Sequence, residues 1–273
     1  MDDETVLITG CSTGIGRATA KAFLDDDWTV YATARDEDDV ADLADLGCET
    51  AALDVTDPGQ IDAVVDRMVE EQGRIDCLVN NAGYSQPGAV EDVSTRRLHR
   101  QFDVNVYGPH RLVRAVLPHM RRQERGTIVN LSSVVGRIAV PGLGAYSASK
   151  FAVEALSDAL RNEVAEFDVD VVVVEPGPVD TQFEERANGE LADIDRSPAY
   201  DRLYEFFDEG DAVSAAFAST PGEVAAVVLN AASCTDPAPR YPVGTVGKAA
   251  GLVRHLPDRW FDLGLRLLSK LAR

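Results

Sequence analysis

The sequence predicts a single α/β domain over residues 1–273, built on a doubly wound parallel sheet of about seven strands. Short runs rich in β-branched residues alternate with longer segments of helical periodicity. Several runs, such as Val171–Val174, are apolar throughout, as in strands that helices cover on both faces. No Pro/Gly/Ser-rich linker or internal repeat divides the chain, so one domain is the better prediction.

The strands and helices follow one another along the chain in this alternating order. The predicted strands are Thr5–Thr9, Thr29–Thr33, Thr50–Leu53, Cys77–Asn80, Thr127–Leu131, Val169–Val174 and Arg240–Val243. Helices are predicted in most of the gaps, among them Ile15–Asp25, Pro58–Glu71, Val104–Arg122 and Tyr146–Phe167. Ligands of such sheets bind at the carboxyl ends of the strands, near the change in strand order. We therefore expect functional residues directly after the strands.

Two segments interrupt the alternation. Residues 182–220 form a long connection after a strand, which predicts a helical lid over a substrate site. The lid is rich in large apolar residues, namely Phe183, Tyr200, Leu203, Tyr204, Phe206, Phe207 and Phe217. These side chains either line a bulky apolar substrate site or pack the lid itself. The C-terminal extension, residues 244–273, ends in an amphipathic helix at Trp260–Arg273, for which terminal packing or a subunit contact is favoured over membrane binding.

The chain is strongly acidic, with a formal net charge of −20 at pH 7. Such a charge repels nucleic acid and anionic membranes, so neither is expected as a partner. Of the 46 acidic residues 29 are Asp, and of the 26 Lys and Arg residues only four are Lys. This bias favours a surface adapted to high salt, the alternative being an ordinary acidic cytosolic protein.

Targeting and metal-binding signals are absent from the sequence. The first four residues lead straight into a predicted strand, and no apolar run approaches the ~20 residues that span a membrane. The four cysteines and four histidines lack the spacing of metal ligands, so no metal site is expected. These observations predict a cytoplasmic protein with reduced thiols.

A glycine-rich loop joins the first strand to the first helix. The segment Thr9–Gly16 has the spacing GxxxGxG. Glycines permit a sharp turn and a close approach of backbone to a pyrophosphate, and the helix that follows offers free N–H groups to phosphate oxygens. Between a strand and a helix, this loop predicts dinucleotide binding.

Tyr146 and Lys150 are four residues apart on a predicted helix and therefore share one face. A phenol with a pKa of about 10 needs roughly 4 kcal/mol to act as an acid or base near pH 7. A lysine ammonium about 5 Å away supplies about 3 kcal/mol at an effective dielectric constant of about 20, and an oxidised nicotinamide can supply the rest. Ser133, just past the fifth predicted strand, can stabilise a developing alkoxide, with Ser132 as its adjacent rival.

Together these motifs resemble the short-chain dehydrogenase/reductase family. The resemblance rests on Thr9–Gly16, on Asn80–Gly83, on Ser133, on the Tyr146-xxx-Lys150 pair and on Pro176–Thr181, all in the family's order and spacing. It covers residues 5–181 closely and the remainder loosely, and it is strongest toward the branch that contains hydroxysteroid and retinol dehydrogenases. It implies a Rossmann-type fold and an oxidoreductase acting on CH–OH donors.

The resemblance also implies roles for individual residues. The family's serine lies 13 residues before the tyrosine, which selects Ser133 over Ser132, and Asn105 matches an asparagine that supports a water relay to the lysine. From the sequence alone Asn105 could equally cap or kink a helix. The implied catalytic residues are Asn105, Ser133, Tyr146 and Lys150. The implied cofactor-binding residues are Gly10, Ser12, Thr13, Gly14, Ile15, Gly16, Arg35, Asp54, Val55, Asn81, Ala82, Gly83, Tyr146, Lys150, Pro176, Gly177, Val179 and Thr181.

Cofactor selectivity is decided at the end of the second strand. The family's NAD-selecting acid would fall at Ala34, and Arg35 follows it, as in NADP-preferring members. Asp36, 20 residues beyond Gly16, is the rival, since an acid there can bind the ribose of NAD. Asp36 can also simply begin the next helix. NADP(H) is therefore favoured and NAD(H) is the alternative.

The leading hypothesis is an NADP(H)-linked alcohol dehydrogenase or carbonyl reductase with an apolar small-molecule substrate. A 3-oxoacyl-thioester reductase is the enzymatic alternative, although the tail after the seventh strand counts against it. A non-catalytic dinucleotide sensor on the same fold is the alternative of another class, and the presence of Ser133, Tyr146 and Lys150 counts against that one. Family members usually associate through the long helices, here Val104–Arg122 and Tyr146–Phe167, so a homo-oligomer is expected.

Overall fold

A computed structural model of the chain describes residues 4–208, 217–253, 257 and 259–264. Seven strands form one parallel sheet in the order β3-β2-β1-β4-β5-β6-β7, which confirms the predicted fold class. The strands are β1 Thr5–Thr9, β2 Thr29–Ala34, β3 Glu49–Ala52, β4 Cys77–Asn80, β5 Gly126–Leu131, β6 Val169–Pro176 and β7 Arg240–Val243. The strand order changes direction between β1 and β4, so a ligand crevice is expected there.

Helices connect the strands and cover both faces of the sheet. They are α1 Gly14–Asp25, α2 Ala41–Leu46, α3 Pro58–Gln72, α4 Thr95–Phe102, α5 Gly108–Gln123, α6 Gly144–Val164, α7 Phe183–Ala192, α8 Asp201–Asp208, α9 Pro221–Ser233 and α10 Gly244–Val253. Short 3₁₀ turns lie at Glu37–Val40, Val134–Gly136, Ala165–Phe167 and Pro198–Tyr200, and a π-helical turn at Asp103–Tyr107. None of the helices in the described part of the chain combines the length and the apolar character of a membrane span.

Two apolar layers hold the sheet between its helices. On β1, Val6 and Ile8 point into one layer, together with Phe23 of α1. Leu7, between them, points into the other layer with Leu112 of α5. All of these side chains are fully buried, because successive side chains of a strand point to opposite faces. This two-sided burial is the reason that the strands read as uninterrupted apolar runs.

The bounds of several elements differ from the prediction. The helix predicted at Val104–Arg122 is preceded by α4, and its first turn is the π-helical Asp103–Tyr107, so the regular helix starts at Gly108. The helix predicted at Tyr146–Phe167 starts two residues earlier and tightens into a 3₁₀ turn at its end. Hydrophobic periodicity does not register such irregular turns, because they shift the pattern by only one residue.

The predicted lid, residues 182–220, contains α7 and α8 and rests on the segment that leads into α4. Tyr204 Oη donates to Asp92 Oδ2 at 2.6 Å, and Arg97 pairs with Glu190 at 3.0 Å. Both contacts join the lid to residues about a hundred positions earlier, so α7 and α8 are fastened to the body of the domain. Residues 209–216 of the predicted lid lie outside the described residues.

The C-terminal extension begins with α10, whose Ala250 packs against the turn after β5. Trp260 and Leu263 of the predicted terminal helix are exposed. Most of that predicted helix, residues 265–273, lies outside the described residues.

Candidate active site

The glycine loop after β1 is packed so closely that side chains cannot be added. A Cβ on Gly16 would lie 2.3 Å from the Gly10 carbonyl oxygen and 2.4 Å from Asn81 Nδ2. A Cβ on Gly10 would lie 3.0 Å from Ala82 Cα, and the φ angle of Gly10 is +74°, in the left-handed region. The backbone therefore forms a cradle against the end of β4, as dinucleotide binding requires.

An open cleft of about 430 Å³ lies over the beginning of α1. It is lined by Ser12, Thr13, Arg17 and Lys21, and on its other side by Thr181. Thr13 is the N-cap of α1, but its side chain makes no capping hydrogen bond, and the first turn of α1 holds no acid. Arg17 and Lys21 bring two cations to the cleft, and its lining also includes the carboxylate of Asp180. Free N–H groups at the beginning of a helix suit phosphate oxygens.

The segment Asn81–Gly83 is tied to the glycine loop. Asn81 Nδ2 donates to the carbonyls of Thr9 and Gly10 at 2.8 and 3.0 Å. The Thr9 hydroxyl in turn accepts from the backbone N–H groups of Asn81 and Ala82, each at 3.1 Å. The Asn81 amide therefore holds the loop in shape, which is a structural use of that side chain.

Ser133 and Tyr146 meet at the carboxyl edge of β5. Ser133 Oγ caps the following 3₁₀ turn by accepting a hydrogen bond from the N–H of Val135. The same hydroxyl donates to the Pro176 carbonyl at 3.5 Å. Burial raises the pKa of Tyr146 to about 12, and a hydrogen bond with Ser133 opposes this effect. The pair that the sequence spacing selects is thus in contact, whereas Ser132 Oγ is buried without a partner among the described residues.

Lys150 lies one turn beyond Tyr146 and turns its amine inward. Its Nζ is 5.7 Å from the centroid of the Tyr146 ring and donates to the Leu131 carbonyl at 2.7 Å. Burial lowers the pKa of Lys150 to about 8, while the charge of Glu154 raises it. The expected Tyr–Lys pairing is present, but the phenol starts from a higher pKa than a solvated tyrosine because its surroundings are apolar.

Asn105 lies in the π-helical turn and is almost fully buried. Its Oδ1 accepts from the Tyr84 N–H at 3.1 Å, and its Nδ2 donates to the Tyr84 carbonyl at 2.9 Å and to Ser149 Oγ at 3.2 Å. Ser149 Oγ donates to the Tyr146 carbonyl at 2.7 Å. Asn105 therefore reaches the helix of Tyr146 and Lys150 through Ser149, and the irregular turn is what directs it there.

The end of β2 carries the residues expected to select the cofactor. Arg35 is exposed, and within the described part of the chain its side chain has no hydrogen-bond or ion-pair partner. Asp36 caps the next 3₁₀ turn by accepting from the N–H of Asp38. Asp54, at the same edge of the sheet, uses Oδ1 to accept from both the N–H and the hydroxyl of Thr56. Val55 is buried and lies close to Gly108, where an added Cβ would be 2.7 Å from Val55 Cγ2.

The segment after β6 folds back over the glycine loop. The Gly177 N–H donates to the Val243 carbonyl, and Val179 forms an isolated bridge with Ser219. Thr181 Cγ2 lies 3.1 Å from the position that a Cβ on Gly14 would take. Asp180 and Thr181 of this segment line the cleft over the beginning of α1.

The chain matches a family model described as short chain dehydrogenase over residues 4–192, more than half of its length. It belongs to the short-chain dehydrogenase family. The uncharacterized oxidoreductase YbbO of Escherichia coli (strain K12) is 35% identical over 263 residues, which cover 95% of this chain and 93% of that protein. Human 17-beta-hydroxysteroid dehydrogenase type 1 is 36% identical over 256 residues, 88% and 77% of the two chains.

Solved structures of this family share the fold. A short-chain dehydrogenase from Streptomyces avermitilis is similar with a TM-score of 0.82 and 33% identity, over 100% of this chain and 98% of that one. A dehydrogenase from Burkholderia phymatum in complex with NAD has a TM-score of 0.76 and 26% identity over 96% and 95%. ElxO with NADP bound has a TM-score of 0.74 and 25% identity over 88% and 96%.

As a short-chain dehydrogenase the chain is an NAD(P)-dependent oxidoreductase. The site holds a glycine cradle and an N–H-rich cleft for a dinucleotide, and beside them a phenol, a serine hydroxyl and a buried amine. These groups can bind an anionic cofactor and move a proton at a substrate oxygen.

Some residues of the site have no counterpart in the sequence prediction. The Phe183 ring stands 5.7 Å from the ring of Tyr146, although nothing in the local pattern singles it out from the other aromatic residues of the lid. Arg17 directly follows Gly16 on the first turn of α1, and its position alone could have placed it at the phosphate cleft. Ser149 is three residues from Tyr146 on the same helix, but its link to Asn105 depends on tertiary structure.

Proposed function

We propose that this dehydrogenase transfers a hydride between NADP(H) and an apolar alcohol or ketone, with Tyr146 as general acid and base. The observation that carries the proposal is the contact of Tyr146 with Ser133 and its 5.7 Å separation from Lys150 Nζ, at the strand edge that also holds the glycine cradle. The proposed catalytic set is Asn105, Ser133, Tyr146 and Lys150.

The chain's own groups handle the substrate oxygen. When bound, the reduced nicotinamide supplies the hydride that adds to the carbonyl carbon. Ser133 holds the carbonyl oxygen by a hydrogen bond, and Tyr146 donates its phenolic proton to that oxygen as negative charge develops there. The Lys150 ammonium stabilises the phenolate that is left, and Asn105 holds the helix in place through Ser149. Alcohol oxidation runs through the same groups in reverse.

The surroundings of Tyr146 support an apolar substrate. Tyr146 packs against the same buried apolar cluster as the partly buried Ile138, Val140 and Leu143, and Phe183 approaches its ring from α7. Other large lid residues, among them Tyr204, pack with Ala89, Val93 and Ala145 of the body into a separate apolar cluster. Of the two interpretations of the lid aromatics, packing therefore applies to most of the described ones, and substrate contact is proposed for Phe183.

The choice of NADP(H) over NAD(H) rests on Arg35 and Asp36. A free guanidinium at the end of β2 can bind the 2′-phosphate of NADP in bidentate fashion. Asp36 already accepts a hydrogen bond as a cap, so it is less suited to bind a ribose hydroxyl. We expect kcat/KM to be higher with NADPH than with NADH, and Arg35→Ser to lower it for NADPH alone. Equal efficiency with both cofactors would overturn this choice.

A carbonyl panel tests the function itself. The protein is incubated with NADPH or NADH and apolar ketones and aldehydes, and the loss of reduced nicotinamide is followed by absorbance. Carbonyl-dependent oxidation of NADPH supports the proposal. Tight binding of NADPH without turnover of any carbonyl would instead favour a dinucleotide sensor.

A further inference from the structure

Four charged side chains meet behind the candidate active site, and we refer to Arg137, Glu154, Glu175 and Arg240 as the charged cluster. Arg137 Nη1 lies 3.2 Å from Glu175 Oε1 and 3.8 Å from Glu154 Oε2. Arg240 Nε lies 3.0 Å from Glu154 Oε2 and 3.3 Å from Glu175 Oε1. The four residues come from the turn after β5, from α6, from the end of β6 and from β7, so the cluster joins four segments.

A contribution to folding stability does not by itself explain why the chain buries these four charges. The two glutamates are only 5% and 4% exposed, and taking charges out of water is costly even when they are paired. Within the described part of the chain, Glu154 Oε1 and Arg137 Nε are buried without hydrogen-bond partners. A half-satisfied buried network stabilises a fold less than well-packed apolar residues would, which favours a functional reason for the charges.

Three members of the cluster, Arg137, Glu154 and Glu175, are close in sequence to a residue of the catalytic set or to its hydrogen-bond partner. Arg137 is four residues after Ser133, and Glu154 is four residues after Lys150 on the same helix. Glu175 precedes Pro176, whose carbonyl accepts from Ser133 Oγ. The turn that carries Arg137 is also packed on α6, since a Cβ on Gly136 would lie 3.2 Å from Lys150 Cβ.

We propose that Glu154 is a positioning residue, whose carboxylate, held by Arg137 and Arg240, keeps the neighbouring Lys150 as an ammonium beside Tyr146. This inference rests on the proposed function and extends it to a residue that touches neither substrate nor cofactor. Two arginines fix the carboxylate in place, so its charge acts on Lys150 from a constant position one helical turn away.

The charges around the two residues agree with this role. Lys150 faces Tyr146 and Glu154 on its own helix and the uncharged Leu131 carbonyl on β5. Burial lowers the pKa of Lys150, and the Glu154 charge opposes that effect. Without this opposition the lysine would lose its charge at a lower pH.

Glu154 faces Glu175 on β6 as well as the two arginines. Burial and the charge of Glu154 raise the pKa of Glu175, and Arg137 and Arg240 lower it. Arg240 is also bound to Asp158, at 2.6 and 2.7 Å. Two guanidinium groups therefore lie against the two glutamate side chains.

The test measures the ionisation of Lys150 directly. The chain has four lysines, so a protein labelled with ¹³C at lysine Cε gives few signals, and Lys150→Met assigns the one from Lys150. We expect Glu154→Gln to lower the pKa of Lys150 by about one unit. The alkaline limit of carbonyl reduction should move to lower pH by the same amount, and Glu154→Asp should restore much of both.

Asp158→Asn is the matched control, because it also removes a carboxylate bound to Arg240 but lies one turn farther from Lys150. It should leave the pKa of Lys150 unchanged. A Glu154→Gln protein that is less stable but keeps the wild-type pKa of Lys150 would overturn the proposal in favour of a purely structural role. If that variant does not fold, Glu154→Asp, which withdraws the carboxylate by one methylene, should lower the pKa of Lys150 by a smaller amount, and an unchanged value contradicts the proposal. A wild-type protein inactive on every carbonyl refutes the proposed function instead, since the NMR titration needs no turnover.

Discussion

The phenol of Tyr146 should titrate very differently with and without oxidised cofactor. In the cofactor-free protein, burial raises the pKa of Tyr146 to about 12, and its hydrogen bond with Ser133 opposes this effect. A buried phenolate is unfavourable unless positive charge lies nearby, and each added cation lowers the pKa. Binding of NADP⁺ should therefore lower the pKa of Tyr146 by several units.

The distances in the site give the size of this effect. An ammonium 5.7 Å from the Tyr146 ring contributes about 3 kcal/mol at an effective dielectric constant of about 20, or about 2 pKa units. That is less than the roughly 5 units by which a pKa of about 12 exceeds neutral pH. Moreover, the pKa of Lys150 is itself lowered to about 8, so its charge is lost as pH rises through that value. A further cation is needed for catalysis near neutral pH, and the oxidised nicotinamide is the one that the reaction provides.

The assay is an ultraviolet titration of tyrosinate in the wild type minus the same titration of Tyr146→Phe, which removes the contribution of the other six tyrosines. Without cofactor the difference should show no inflection below about pH 10, and with saturating NADP⁺ it should show one well below that value. A Tyr146 pKa that is the same with and without NADP⁺ would refute the reasoning. So would a cofactor-free pKa near neutrality.

Three further predictions concern the cradle, the surface charge and the assembly. Gly16→Ala should lower the unfolding midpoint and abolish NADPH binding, because its Cβ would lie 2.3 Å from a carbonyl oxygen. The control is Gly189→Ala, which should leave the unfolding midpoint unchanged or raise it slightly, because a Cβ there meets nothing within 4 Å. Melting temperature should rise from dilute buffer to molar KCl, since salt screens the repulsion within a net charge of −20, and equal values would contradict salt adaptation. Light scattering should give a mass at least twice 29.4 kDa, with the exposed Tyr107 and Phe151 in the contact, and Phe151→Asp should reduce it to one chain.

Features set by neighbouring residues were predictable from the sequence. The glycine cradle, Tyr146 with Lys150, and the alternation of strands and helices all depend on spacings within about 20 residues. Each of these spacings expresses a rule of local backbone geometry, such as the four-residue repeat of one helix face. The strand order was not predicted, because one-handed crossovers are compatible with more than one order of parallel strands.

Features that depend on tertiary contacts were not predictable. The contacts of Asn105 could not be deduced from the sequence, because they join it to Tyr84, 21 residues earlier, and to Ser149, 44 residues later. Phe183 reaches Tyr146 only because the lid folds back over the site. The elevated pKa of the phenol likewise requires knowledge of burial, which an estimate from one Tyr–Lys distance omits.

The charged cluster also depends on tertiary contacts between residues that are far apart in the sequence. Arg240 and Glu154 are 86 residues apart, and Arg137 and Glu175 are 38 apart. A single charged residue in a sequence ordinarily indicates a surface position. The pairing of β6 with β7 brings Glu175 and Arg240 close together only in the folded chain.

The most direct test of the central claim is a single-turnover measurement of carbonyl reduction by the wild type and by Tyr146→Phe, each saturated with NADPH. The substitution removes one hydroxyl, so NADPH affinity should stay within a few-fold while the hydride-transfer rate falls by about 10²- to 10⁴-fold, the usual contribution of a general acid. A Tyr146→Phe protein that binds NADPH normally and reduces the carbonyl at a rate close to wild type would contradict the assignment of Tyr146 as the proton donor.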